Sequence, residues 1–145
     1  PLLPVFGKVE YCRIGMDMSL SWDDKPYMRL FHSERPSTKN TVLNTVFRRQ
    51  LSGRAFLNDP DVFLLRDRNT ALSPEQKSTL ATTNALFGGL LFVSDDFSEY
   101  SEKQLAEYKT VLALSERAEN ISVSPAAAPT VTYTLDGEQK TLKLG

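Results

Sequence analysis

Three short runs in this chain place carboxylates where they could do chemistry. The first is Arg13-Ile14-Gly15-Met16-Asp17, with Trp22 five residues further on. The second is Asn58-Asp59-Pro60-Asp61, and the third is Ser94-Asp95-Asp96. A carboxylate beside a cation is held ionised, whereas one desolvated by an aromatic ring keeps its proton. Asp17 has both kinds of group close in sequence, so it is a candidate for proton transfer to or from a ligand. Arg13 and Asp17 could equally form a plain ion pair, and the Asx residues around Pro60 could simply cap backbone amides in a loop. Taken together, the three clusters suit a sugar site, because hydroxyl groups need acceptors and glycosidic bonds are cleaved by pairs of carboxylates.

Each cluster follows an apolar, β-prone run. Residues 9–17 mix β-formers and small residues and predict a strand ending on Asp17, in which positions 13, 15 and 17 share a face. Residues 55–58 predict a second strand running into Asp59, and residues 90–93 a third that stops at Ser94. Between them lie helical patterns. Ser37 and apolar positions 42, 43, 46, 47 and 51 predict a helix over 38–51, with Gly53 as a stop. Leu72-Ser73-Pro74-Glu75 is a cap with proline at the first helical position, opening a helix that reaches Phe87. Ser101-Glu102-Lys103-Gln104 opens a third helix, extending to about Arg117.

Alternating strands and helices imply parallel strands with right-handed crossovers, found in open doubly wound sheets and in (β/α)8 barrels. In both, ligands sit at the carboxyl ends of the strands. The chain has no glycine-rich dinucleotide fingerprint and no phosphate loop, which favours the barrel. The predicted fold class is therefore α/β, a segment of a barrel. Residues 1–120 form that segment. Residues 121–145 are a linker and the start of a β-domain, because Ser122 to Pro129 is a Ser/Pro/Ala connector and 130–135 alternates with period two before an Asp136-Gly137 turn and a partner at 140–144. A hairpin of this kind is not stable alone and could also dock on the α/β part.

Composition narrows the function classes. In 145 residues, seventeen basic groups balance eighteen acidic ones, so no overall field draws the chain to nucleic acid or an anionic membrane. No apolar run reaches the roughly twenty residues of a membrane helix. The single cysteine, Cys12, and single histidine, His32, argue against a disulfide framework, a zinc site or a histidine-based triad. The reading is thus of a polar, neutral ligand, no cofactor, no metal, and a reducing, cytoplasmic setting. The opening at Pro1 suggests a segment of a longer protein.

The run Arg13-Ile-Gly-Met-Asp17 with Trp22, then Gly53-Arg-Ala-Phe-Leu-Asn-Asp-Pro-Asp61, then Leu91-Phe-Val-Ser-Asp-Asp96 resembles the late barrel of the α-galactosidases of glycoside hydrolase family 36 and, more distantly, of family 27. The resemblance spans about residues 9–117. It implies that the three strands are the sixth, seventh and eighth of a (β/α)8 barrel followed by a C-terminal β-domain. It further implies that Asp17 is the general acid/base of a retaining α-galactosidase, and that Arg13, Asp61 and Trp22 bind the sugar, with Trp22 beside Asp17. Asp59 falls to a structural place in its loop, and Asp95 and Asp96 to supporting places. Met16 departs from the family, where proline is common at that position. The nucleophile belongs to the fourth strand, which would precede Pro1, so the segment alone is expected to be inactive and to self-associate or need the rest of the barrel. An alternative is a non-catalytic carbohydrate-binding or interaction domain.

Overall fold

The computed structural model describes residues 2–23 and 36–144. His32 lies outside the described residues. The first strand, β1, is Tyr11–Arg13 and pairs in parallel with β2, Leu57–Asp59. Two residues later β3, Val62–Phe63, pairs in parallel with β4, Phe92–Val93. The strand predicted over 9–17 is therefore shorter, and Asp17 stands four residues past its end. Instead of pairing onward, Ile14 donates its N–H to the Asp59 carbonyl, and the chain then leaves the sheet.

The break between β2 and β3 is built by the Asn-Asp-Pro-Asp run itself. Pro60 has no N–H for a ladder, and Asp61 adopts a left-handed φ of 75°. That conformation is uncommon for a residue with a side chain, and three bonds hold it. Asp59 Oδ1 accepts the Asp61 N–H at 2.9 Å, Asp61 Oδ1 accepts the Val62 N–H at 2.8 Å, and Asn84 Nδ2 donates to the Asp61 carbonyl at 2.9 Å. The predicted second strand thus does not stop at its aspartates but resumes beyond them.

Three helices form where the caps predict them. Helix α1, Thr38–Phe47, starts on Ser37, whose side chain accepts from Asn40 N–H. It ends earlier than the predicted 51: Arg48 leaves the helical region, and a 3-10 turn, Arg49–Leu51, follows. The cause lies in Arg48's tertiary bonds, because its side chain donates to the Ile14 carbonyl and its own carbonyl accepts from Asn58 Nδ2. Helices α2, Pro74–Phe87, and α3, Glu102–Arg117, each begin with a complete capping box, Ser73 with Gln76 and Ser101 with Gln104. Neither helix, nor any other among the described residues, is long and apolar enough to cross a membrane.

The C-terminal part holds three antiparallel strands rather than a hairpin alone. Strand β5, Glu119–Val123, was not predicted; it pairs with β6, Thr130–Leu135, which pairs with β7, Glu138–Lys143. Asp136 and Gly137 make the turn with φ of 53° and 83°, the left-handed pair that matches strand twist in tight hairpins. Val131, Tyr133 and Leu135 face inward with Leu144 and join one hydrophobic cluster with Val42, Val46, Phe63, Leu80, Val111 and Leu114. The hairpin is therefore docked on the helices. The architecture is mixed α/β, with two parallel pairs and one antiparallel sheet, and no closed barrel among the described residues.

Candidate functional site

The register that pairs Arg13 with Asp59 also sets the geometry of the site. Arg13 leaves the end of β1 and spends each of its three guanidinium nitrogens on a different carboxylate. Nε lies 3.2 Å from Asp59 Oδ2, Nη2 3.0 Å from Asp61 Oδ1, and Nη1 3.1 Å from Asp17 Oδ1. One cation thus gathers three anions at the carboxyl ends of two parallel strands.

The three carboxylates differ in what else they do. Asp59 and Asp61 have side chains only 11% and 10% exposed, while Asp17 is 77% exposed. Besides its own loop, Asp61 takes the Met18 N–H on Oδ2 at 2.7 Å, which ties the segment after β1 to the start of β3. Those two carboxylates are therefore committed to backbone amides and to Arg13. Asp17 is the one turned to solvent, next to a fixed positive charge. Backbone bonds steady the segment that carries it: the Asp17 carbonyl accepts from Ser37 N–H and the Met16 carbonyl from Thr41 Oγ1.

Of the residues singled out from sequence, the structure brings together Arg13, Asp17 and Asp61, and adds Asp59 as a direct partner of the arginine. Trp22 makes no hydrogen bond or ion pair with that cluster among the bonds of the described residues. Its ring packs against the core and lines a small gap with Lys39, Val42, Leu43 and Leu144, and its carbonyl accepts from Lys39 N–H. Asp95, read as a supporting residue, has a fully buried side chain. It accepts from the Leu65 and Arg66 amides, pairs with Arg66 at 2.8 Å and takes the Tyr100 hydroxyl at 2.6 Å. Burial, reinforced by that bond and by the Asp95 charge, pushes the Tyr100 phenol above its ordinary range. Asp96 instead caps a 3-10 turn, Phe97–Glu99; hydrogen bonds from the Ser98 hydroxyl and amide hold its carboxyl below the usual value.

Sequence reasoning missed Lys77. Its ammonium is buried and reaches the Leu65 and Arg66 carbonyls and Asp67, at 3.3, 3.0 and 2.5 Å. The signal was present in the spacing, since Lys77 shares the helical face of Leu80, Ala81 and Asn84. It fixes the loop that continues from β3.

No family model matches the chain. Among solved structures it is similar to TtGalA, an α-galactosidase from Thermus thermophilus in complex with p-nitrophenyl α-D-galactopyranoside. The TM-score is 0.71 at 23% sequence identity, over 96% of this chain and 27% of that one. A likeness at this identity establishes shared fold. The chain spans about a quarter of the length of the protein it matches.

Proposed function

We propose that the chain is the part of a retaining α-galactosidase that carries the general acid/base. On this reading β1, the interrupted strand β2–β3, and β4 are the sixth, seventh and eighth strands of a (β/α)8 barrel, and β5–β7 belong to a C-terminal β-domain. Asp17 protonates the departing glycosidic oxygen and then takes a proton from the attacking water. Arg13 and Asp61 border the sugar. The nucleophile comes from a strand outside these residues, since retaining enzymes need a second carboxyl group about 5–5.5 Å from the first, and Asp59 and Asp61 are already occupied by amides.

The observation that carries the proposal is the exposed Asp17 beside Arg13 at the carboxyl edge of parallel strands, in a chain whose fold matches part of a solved α-galactosidase. Asp17→Asn in the complete protein should reduce turnover of natural α-galactosides by a factor of about 10²–10⁴. An aryl galactoside with a good leaving group should be cleaved with a smaller loss in the first step. Unchanged hydrolysis of the natural substrate would overturn the assignment.

A second reading, sugar binding without hydrolysis, is favoured by the commitment of both buried carboxylates to structure. It predicts saturable binding of galactosides to the 145-residue chain and no hydrolysis by the complete protein.

A further inference from the structure

The segments that follow β3 and β4 enclose a cavity of about 300 Å³ that none of the Arg13 cluster lines. Arg66, Asp67 and Arg68 line it from the segment after β3, and Asp96, Glu99 and Tyr100 from the segment after β4. Each of these wall groups has a protein partner, and Arg66 and Tyr100 are anchored on a buried one. Arg66 is fixed by the buried Asp95 and the Ser94 carbonyl. Arg68 pairs with Glu99, and Asp67 with the Lys77 ammonium. Tyr100 is anchored through its hydroxyl. Each of Asp67, Asp96 and Glu99 makes these bonds through one oxygen, which leaves the other oxygen of each as an acceptor.

The chemistry of this wall selects among ligands. Barrels commonly hold phosphate with the loops after the seventh and eighth strands and a short helix start. Here the Asp96 carboxylate caps the short turn Phe97–Glu99 and already takes the Ser98 amide, so the anion's place is filled by the protein. Counting the partners of the wall groups, four carboxylates (Asp67, Asp95, Asp96 and Glu99) stand against three cations (Arg66, Arg68 and Lys77), so the surroundings also oppose a phosphate. A neutral molecule with several hydroxyl groups meets no such opposition, because each hydroxyl can donate to a carboxylate oxygen and accept from an arginine N–H. Arg66 and Tyr100, both anchored on Asp95, lose little entropy on binding it.

We propose that this cavity is a second saccharide-binding position, separate from the Arg13 cluster. The proposal rests on the barrel reading, which makes the ends of β3 and β4 part of the ligand-binding edge.

One titration separates the two sites. Isotope-labelled chain is titrated with raffinose and, in parallel, with inorganic phosphate, while backbone amide resonances are followed. Raffinose should shift the amides of Arg68, Glu99 and Tyr100, and phosphate should not. Glu99→Ala and, independently, Arg68→Met should weaken those shifts by about tenfold or more in apparent affinity, with the rest of the spectrum intact. Asp17→Ala should leave them unchanged, because that exposed residue belongs to the other cluster. The amides of Ile14 and Gly15 report on the Arg13 site, so one titration reads the two positions apart, while the galactosidase reading stands or falls separately, on hydrolysis by the complete protein. Absence of shifts at Arg68, Glu99 and Tyr100, their response to phosphate in place of raffinose, or their loss in Asp17→Ala would each overturn the second site.

Discussion

Arg13 and Asp59 stand opposite one another as register partners on adjacent parallel strands, with Nε 3.2 Å from Oδ2. The consequence is a division of labour among three carboxylates. Asp59 and Asp61 hold the guanidinium from the protein side, and Asp17 meets it from the solvent side. A charge fixed in this way cannot follow Asp17 if that residue moves to a ligand. Its electrostatic influence then depends on where Asp17 goes.

The two roles separate by stability. Asp59→Asn keeps an oxygen to cap Asp61 but removes a nearly buried ion-pair partner. Loss of one member of a fully buried pair costs about 3–5 kcal/mol; because Arg13 is 39% exposed, the cost here should fall to about 1–3 kcal/mol. Asp17→Asn, at an exposed position, should stay within about 0.5 kcal/mol. Urea unfolding of the two variants checks this. Equal destabilisation would show that Asp17 is as structural as Asp59.

Much of this arrangement can be read along the chain, and the unread part has identifiable causes. Both capping boxes and the Pro74 start are local signals, and α2 and α3 begin where those signals stand. Strand β5 was missed because Glu119–Val123 is largely exposed and shows no alternation; its pairing with β6 is what makes it a strand. Helix α1 ends at Phe47 through two long-range bonds of Arg48 that no local pattern encodes. Around the site, Arg13 and Asp17 are four residues apart and their meeting could be foreseen. The part of Asp59 could not, since it depends on register between strands more than forty residues apart in sequence.

The loop after β3 should depend on two side chains from different helices. Lys77 Nζ and Gln104 Nε2 both donate to the Leu65 carbonyl, at 3.3 and 2.9 Å. With either one gone, the carbonyl of this buried residue keeps a partner; with both gone it has neither. Lys77→Met should cost about 1–3 kcal/mol. The double variant with Gln104→Ala should be about 0.5–1 kcal/mol worse than the sum of the single changes. A double-mutant cycle in urea measures the difference, and strict additivity would mean that the two donors act independently.

Tyr100 makes the fold sensitive to alkali. Its phenol is raised above the usual tyrosine value by burial first, then by the hydrogen bond to Asp95 and that residue's charge; Tyr108 adds to the effect and Arg66 opposes it. In the unfolded chain a tyrosine ionises near about pH 10, whereas in the fold Tyr100 still holds its proton there. The stability linked to it is therefore complete below about pH 10 and is lost as pH rises from that point toward the folded value. Tyr133, also raised by burial, adds a parallel contribution. Urea midpoints measured from neutral pH to above about pH 10 should decline more steeply for the unaltered chain than for Tyr100→Phe. The variant pays a separate cost of about 1 kcal/mol at neutral pH for its lost bond to Asp95, so the slope with pH, not the absolute midpoint, is the quantity that decides. Parallel slopes would show that the Tyr100 proton contributes nothing to the alkaline loss of stability.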